Sequence, residues 1–193
     1  MLYDLSTDKI QKIQINEGIV VLNLNSANKN VLGPTRGGAE FVVTPTIQDI
    51  EFDGRRGKTK GMQLKDSEDI SLKINTLDCS QETLALAIPN STVNASTKEI
   101  MQGDFGFIKD ENYIDSISVI TKTLDNKYKI LEVKNAMHEG AFTFKAVDKN
   151  QNEHNLEFLG HYTMTEDNKE KIWRVYETDT NPLSATQTQA SAK

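Results

Sequence analysis

Alternation of apolar and polar residues with a period of two recurs along this chain, and it constrains the fold more than any other feature. Ile70, Leu72 and Ile74 alternate with Ser71, Lys73 and Asn75, and Phe142, Phe144 and Ala146 alternate with Thr143, Lys145 and Val147. Successive side chains of a strand point to opposite faces, so such runs bury one face and wet the other. Leu156, Phe158, Tyr162 and Met164 fall on one face of another run, with Gly160 between them. Further strands are expected over residues 18–24, 40–52, 113–123, 127–135 and 171–177. About seven or eight strands in succession, with little helix between them, predict a mainly β chain folded as an antiparallel β-sandwich or partial barrel.

One short α-helix interrupts the pattern. Asp78 and Gln81 have the spacing of a capping box, Leu84 and Ile88 fall at i and i+4, and Pro89 stops the run. This helix is expected to pack on one sheet face.

The connections differ sharply in length. Asp125-Asn126 and the stretch Lys149-Asn150-Gln151-Asn152 read as tight hairpin turns. Three others are long: residues 25–39, which carry Gly33-Pro34 and Gly37-Gly38; residues 53–61, a basic excursion; and residues 89–112, rich in Ser, Thr and Asn. Long loops inside a compact domain usually carry function, often by reaching another chain. They are expected here to be inter-subunit arms, with Asn30, Leu32 and Arg36 on the first and Arg55, Arg56, Lys58 and Lys60 on the second as candidate contacts. Residues 1–180 are expected to form one domain, and 181–193, which lack any apolar period, a flexible C-terminal tail. Deleting 26–39 should then leave a folded subunit, and trimming 182–193 should leave its melting unchanged.

Charge and targeting signals narrow the function classes. A net charge of −6 argues against stationary binding to nucleic acid, which needs clustered Lys and Arg. Residues 1–8 lack a basic n-region and an apolar h-region, and no window approaches the roughly 18 apolar residues of a membrane span. Synthesis in the bacterial cytoplasm without membrane insertion is expected. Cys79, the single cysteine, cannot form an internal disulfide and is expected to be a small buried hydrophobe.

Several local motifs invite a chemical reading and fail on context. Gly54-Arg55-Arg56-Gly57-Lys58-Thr59 resembles a phosphate-binding loop, but Phe52 stands where a leading glycine is required and no strong helix follows. Asp104-Phe105-Gly106 spells the kinase metal-binding triplet without the rest of the kinase set, and Phe105 and Phe107 are better read as a short strand or an apolar lid on the core. His138, His154 and His161, with Glu139 or Glu157 nearby, lack the spacing of a helical metal site. No Gly-x-Ser-x-Gly elbow occurs, and Cys79 has no recognisable His partner in sequence. Asn90-Ser91-Thr92 and Asn94-Ala95-Ser96 match the glycosylation pattern, which has no consequence without export. Trp173 is read as core or interface. No catalytic residue, cofactor site or metal site is expected, and the chain is not expected to be an enzyme.

Three segments together carry a resemblance. The first is Phe52-Asp53-Gly54-Arg55-Arg56-Gly57-Lys58-Thr59-Lys60-Gly61 followed by Glu68-Asp69-Ile70-Ser71-Leu72-Lys73-Ile74. The second is the helix from Ser80 to Ile88, and the third is the pair His154-Asn155-Leu156-Glu157-Phe158-Leu159-Gly160-His161-Tyr162 and Trp173-Arg174-Val175-Tyr176. Their order, over most of the chain, resembles the major tail proteins of siphophages. The resemblance implies a β-sandwich of the tail-tube type, assembled as stacked, hexameric rings whose inner sheets join around a lumen, with the arm 25–39 and the terminal segments reaching an adjacent ring or subunit. It implies a place in the virion tail, with further copies of the chain, a tape-measure protein and other tail proteins as partners and DNA in transit through the lumen. No cofactor is implied. An acidic subunit suits such a conduit, because like charge lets DNA pass without sticking.

Two rival classes are distinguishable. A receptor- or carbohydrate-binding β-sandwich of a phage tail or baseplate would use Trp173 or Tyr162 as a stacking platform and would persist as a monomer. A hydrolase on an all-β scaffold would need two carboxylates converging in a cleft.

Overall fold

In the computed structural model the described residues are 18–94, 96–144, 148, 151–164 and 170–184. They form β1 (Ile19–Leu22), β2 (Asn30–Val31), β3 (Thr35–Asp49), β4 (Gln63–Thr76), α1 (Gln81–Leu86), β5 (Thr92–Asn94), β6 (Glu99–Met101), β7 (Ile114–Lys122), β8 (Tyr128–His138), β9 (His154–Gly160) and β10 (Trp173–Thr178). Every strand pairing is antiparallel. The expected mainly β architecture with one short helix is present, and the sheet stays open rather than closing into a barrel. Its order is β2-β1-β7-β8-β9-β4-β3, with β10 also on β8, while β5 and β6 form a separate hairpin.

The sheet divides along β8. Tyr128 to Val133 pair with β10, whereas Ala136 to His138 pair with β9. Asn135 lies between the two stretches with φ 48°, a left-handed conformation that asparagine tolerates better than most residues. Its Nδ2 donates to the His161 carbonyl at 3.1 Å and to Thr163 Oγ1 at 3.1 Å, and its carbonyl accepts from His161 N at 3.2 Å. One residue's backbone thus turns β8 from one partner to the next. The layer β1–β7–β8 packs on β9–β4 through Val20, Leu22, Ile117, Val119, Val133 and Ala136 against Ile70, Leu72, Ile74, Leu156 and Phe158. A second cluster, Val21, Leu24, Ile120 and Ile130, occupies the opposite face of β1 and β7. Buried on both faces, β1 reads as a continuous apolar run, and β7 buries Ser116, Ser118 and Thr121 among its apolar residues.

The helix is built differently from the expected capping box. Ser80 is the N-cap and its Oγ accepts from Thr83 N at 3.3 Å. Asp78 instead braces the cap: its carboxylate accepts from Ser80 N at 2.9 Å and from Thr83 Oγ1 at 2.7 Å. The Thr83 bond is the main cause that holds the Asp78 carboxyl below its ordinary pKa. Ala87 is buried, and Leu86 and Ile88 pack against the main core.

Other expectations change. Residues 141–144 are not a strand; Phe142 and Phe144 stack on the His154 ring instead, with centroids 6.1 and 5.7 Å away, and 145–147 lie outside the described residues. The turn at Asp125-Asn126 is tight, with Thr123 N donating to the Lys127 carbonyl at 2.9 Å, while 149 and 150 of the other expected turn lie outside the described residues. β9 ends at Gly160, where an added Cβ would come within 2.9 Å of Val133 Cγ1, so Tyr162 and Met164 leave the buried face and are exposed. Cys79 is exposed, not buried, and its Sγ lies 3.2 Å from His154 Nε2.

Candidate interaction interface

β3 and β4 pair over their whole length, but β9 covers β4 only from Ser71 to Thr76. Outward of that point the two strands form a ribbon that no third strand joins among the described residues, and no residue from 44 to 69 is buried. The ribbon nevertheless carries Ile47, Ile50, Phe52, Met62 and Leu64, all exposed. Thr46 faces Ser67 and Ile47 faces Lys65, so Asp66 is an extra residue, a bulge that resets which β4 side chains share a face with β3. Beyond it Gln48 faces Leu64, and Ile50 N donates to the Met62 carbonyl at 2.9 Å. With a period of two, Ile50, Met62 and Leu64 therefore share one face and Ile47 takes the other.

The end of the ribbon is ordered by one carboxylate. Asp49 accepts from Gln63 Nε2 at 2.8 Å and from Arg55 Nη2 at 3.0 Å, and Arg55 Nε donates to the Gly57 carbonyl at 2.6 Å. The Gln63 hydrogen bond first, and Arg55 after it, hold the Asp49 carboxyl below its ordinary pKa. Gly54, Gly57 and Gly61 supply the positive φ angles of 85°, 146° and 85° that this turn requires. Arg55 is consumed inside its own hairpin. Arg56, Lys58 and Lys60 are exposed and make no hydrogen bond or ion pair to any described residue, although the Lys58 charge also helps lower the Asp49 pKa, so the tip presents three exposed cations beside an apolar ribbon face.

Much of the first expected arm is folded onto its own subunit. Residues 30–31 are β2, with Asn30 opposite Leu22. Leu32 is only 5% exposed, belongs to the main core, and its N donates to the Val20 carbonyl at 2.9 Å; it offers little surface to a neighbour. Arg36 pairs with Glu153 and Gln151 of its own chain. Deleting 26–39 would remove a core side chain and the start of β3. At the other end Leu183 packs on the second cluster and its carbonyl accepts from Lys29 Nζ at 3.2 Å, so the docked chain runs past 181. The terminal segments 1–17 and 185–193, expected as contacts, lie outside the described residues.

No family model matches the chain, and no curated protein does. The reading of this interface rests on its own geometry.

A second exposed apolar site escaped the sequence reading. Phe105 and Phe107 are 93% and 98% exposed, so they are neither strand nor lid. The loop that holds them is fixed by Asn90, whose Nδ2 donates to the Phe107 carbonyl at 3.3 Å and whose Oδ1 accepts from Asn112 Nδ2 at 3.0 Å. Gly103 packs so tightly on Asn90 that an added Cβ would lie 1.4 Å from its carbonyl oxygen. Glycines on both sides of Phe105 were the available signal. Beside the loop is an open groove of about 430 Å³ lined by Ile100, Met101, Phe105 and Ile108, with Asp104 at its rim.

The histidines are dispersed. His161 Nε2 lies 2.7 Å from Glu139 Oε1 and its Nδ1 3.0 Å from the Asn135 carbonyl, His154 faces Cys79, and His138 is buried beside Phe158. Among the described residues no three His, Cys, Asp or Glu side chains gather as a metal site would require. Trp173 is half-buried, donates from Nε1 to Glu68 Oε1 at 2.9 Å and packs 5.8 Å from the Phe41 ring, which makes it part of the body.

Proposed function

We propose that this protein is a structural subunit that polymerises into stacked rings forming a phage tail tube, with copies of itself as its principal partners. The observation that carries the reading is the β3–β4 ribbon: a segment with no buried residue that holds five exposed large apolar side chains and ends in three exposed cations. Exposed apolar surface gathered on one projecting segment in this way marks an interaction site. The open sheet adds support, since among the described residues β3 and β10 each pair on one side only and leave edges that a neighbouring copy can extend. A net charge of −6 is compatible with DNA transit through a lumen. On this reading a tape-measure protein and other tail proteins complete the assembly.

Negative-stain electron microscopy of the purified protein over a range of concentration and salt tests it. Rings or hollow tubes are the expected result; a monodisperse monomer under every condition, and also with tail-initiating proteins added, rejects it.

A further inference from the structure

The ribbon tip needs a receiving surface, and the same chain carries one of matching chemistry. Residues 51–61 hold Arg55, Arg56, Lys58 and Lys60 against Glu51 and Asp53, so the tip is net cationic. Residues 103–115 hold Asp104, Asp110, Glu111 and Asp115 against Lys109, so that loop is net anionic, and all four of its carboxylate residues are exposed. Both surfaces place their charges beside unburied apolar side chains: Ile50, Phe52 and Met62 at the tip, and Phe105, Phe107 and Ile108 at the loop. The groove beside Phe105 and Met101 is an open apolar concavity of about 430 Å³.

We propose that the β3–β4 tip of one copy docks on the 103–115 loop of a second copy, Phe52 and its ribbon neighbours covering Phe105 and the groove while Arg56, Lys58 and Lys60 meet Asp104, Asp110 and Glu111. This rests on the self-assembly reading and names the surfaces it would use. Apart from Arg55, the tip's cations make no hydrogen bond or ion pair to any described residue, and none of residues 44–69 is buried. The two surfaces differ, so the contact is heterologous, of the kind that closes into rings or continues as stacks. Charges at the rim set the register and the encounter rate, and the apolar centre excludes water.

The test is a charge swap read by sedimentation velocity and electron microscopy. R56E/K58E/K60E and D104K/D110K/E111K are each expected to weaken self-association about tenfold or more, three rim pairs becoming repulsive. All six side chains are exposed, so both variants should melt as the wild type does. Carrying both sets on one chain, or mixing the two variants, should restore assembly, because each reversed tip then finds a reversed loop. Wild-type association that weakens with ionic strength agrees with the pairing. Wild-type tubes unaffected by either swap overturn the pairing and leave the tube reading standing. Swaps that weaken assembly without rescue in the combined chain also overturn it. A wild type that never associates overturns both. Binding to phosphatidylserine vesicles that only R56E/K58E/K60E loses, with association unchanged, would assign the tip to an anionic lipid surface instead.

Discussion

Excising the outer ribbon separates its role in assembly from any role in folding. Thr46 and Ser67 face each other across the strands, so replacing residues 47–66 by Asn-Gly joins them through a two-residue hairpin turn. The segment removed contains no buried residue, and Glu68, which accepts from Trp173 Nε1, is retained. Little apolar burial is lost from the subunit, and the shorter connection lowers the entropy cost of closing the hairpin by about 0.6 kcal/mol for each halving of its length. The net change in stability should therefore lie within about 1 kcal/mol of zero, which for a domain of this size is about 2–4 °C in Tm. Circular dichroism melts of both proteins as monomers measure the first half of the expectation, and sedimentation velocity at high concentration the second: the excised variant should stay monomeric where the wild type associates. A Tm loss above about 8 °C, or loss of the cooperative transition, would show that the ribbon packs on the body. Unimpaired association would remove it from the interface.

Three further perturbations address the body. Phe158 is completely buried between the two layers, so Phe158→Ala should cost about 3–5 kcal/mol as a lowered urea midpoint; a loss under about 1 kcal/mol would deny that the layers pack through it. Gly103→Ala places a methyl carbon 1.4 Å from the Asn90 carbonyl oxygen and should cost about 1–3 kcal/mol in a thermal melt while the loop shifts; an unchanged melt would refute the close approach. Burial lowers the His138 pKa from its ordinary 6.5, with the nearby main chain at Asn155 and Ala87 partly offsetting it. Below 6.5 the unfolded chain then binds more protons than the folded one, so the contribution is complete above that pH and is lost as pH falls towards the folded value. His138→Gln should flatten that part of the stability–pH curve, and an identical slope in the variant would remove His138 as its source.

What was legible in the sequence was what local pattern determines. Ile70, Leu72 and Ile74 announce a strand with one buried face, and they form one. The tight turn at Asp125-Asn126 follows from turn chemistry, with Asn126 at φ 65°. Local pattern does not tell whether a strand's neighbours are present. Residues 40–52 read as one strand, yet its inner half joins the core and its outer half does not, because β9 is too short to cover β4 beyond Ser71. The glycines of 25–39 signalled a loop, but Leu32 is drawn into the core by pairing beside β1. Phe105 and Phe107 alternate like a strand, but Gly103 against the Asn90 carbonyl holds that loop outward. Cys79 and His154, 75 residues apart, meet only through the tertiary fold.

The distribution of burial also bears on how assembly would proceed. Each large apolar side chain on the ribbon is about half exposed, so covering it on docking would add roughly 1 kcal/mol, half of what full burial supplies. Ile50, Phe52 and Met62 at the tip together give roughly 3 kcal/mol, and a few screened ion pairs a little more, before the loss of translational and rotational freedom, which is at least as large. A single tip-to-loop contact between two copies should therefore be weak. In a closed ring the last subunit makes contacts at its tip and its loop at once, and that second contact forms at high effective concentration. Association should accordingly appear abruptly with concentration or on a preformed template, with few dimers between monomer and tube, whereas a module that binds one separate ligand should show graded, saturable binding.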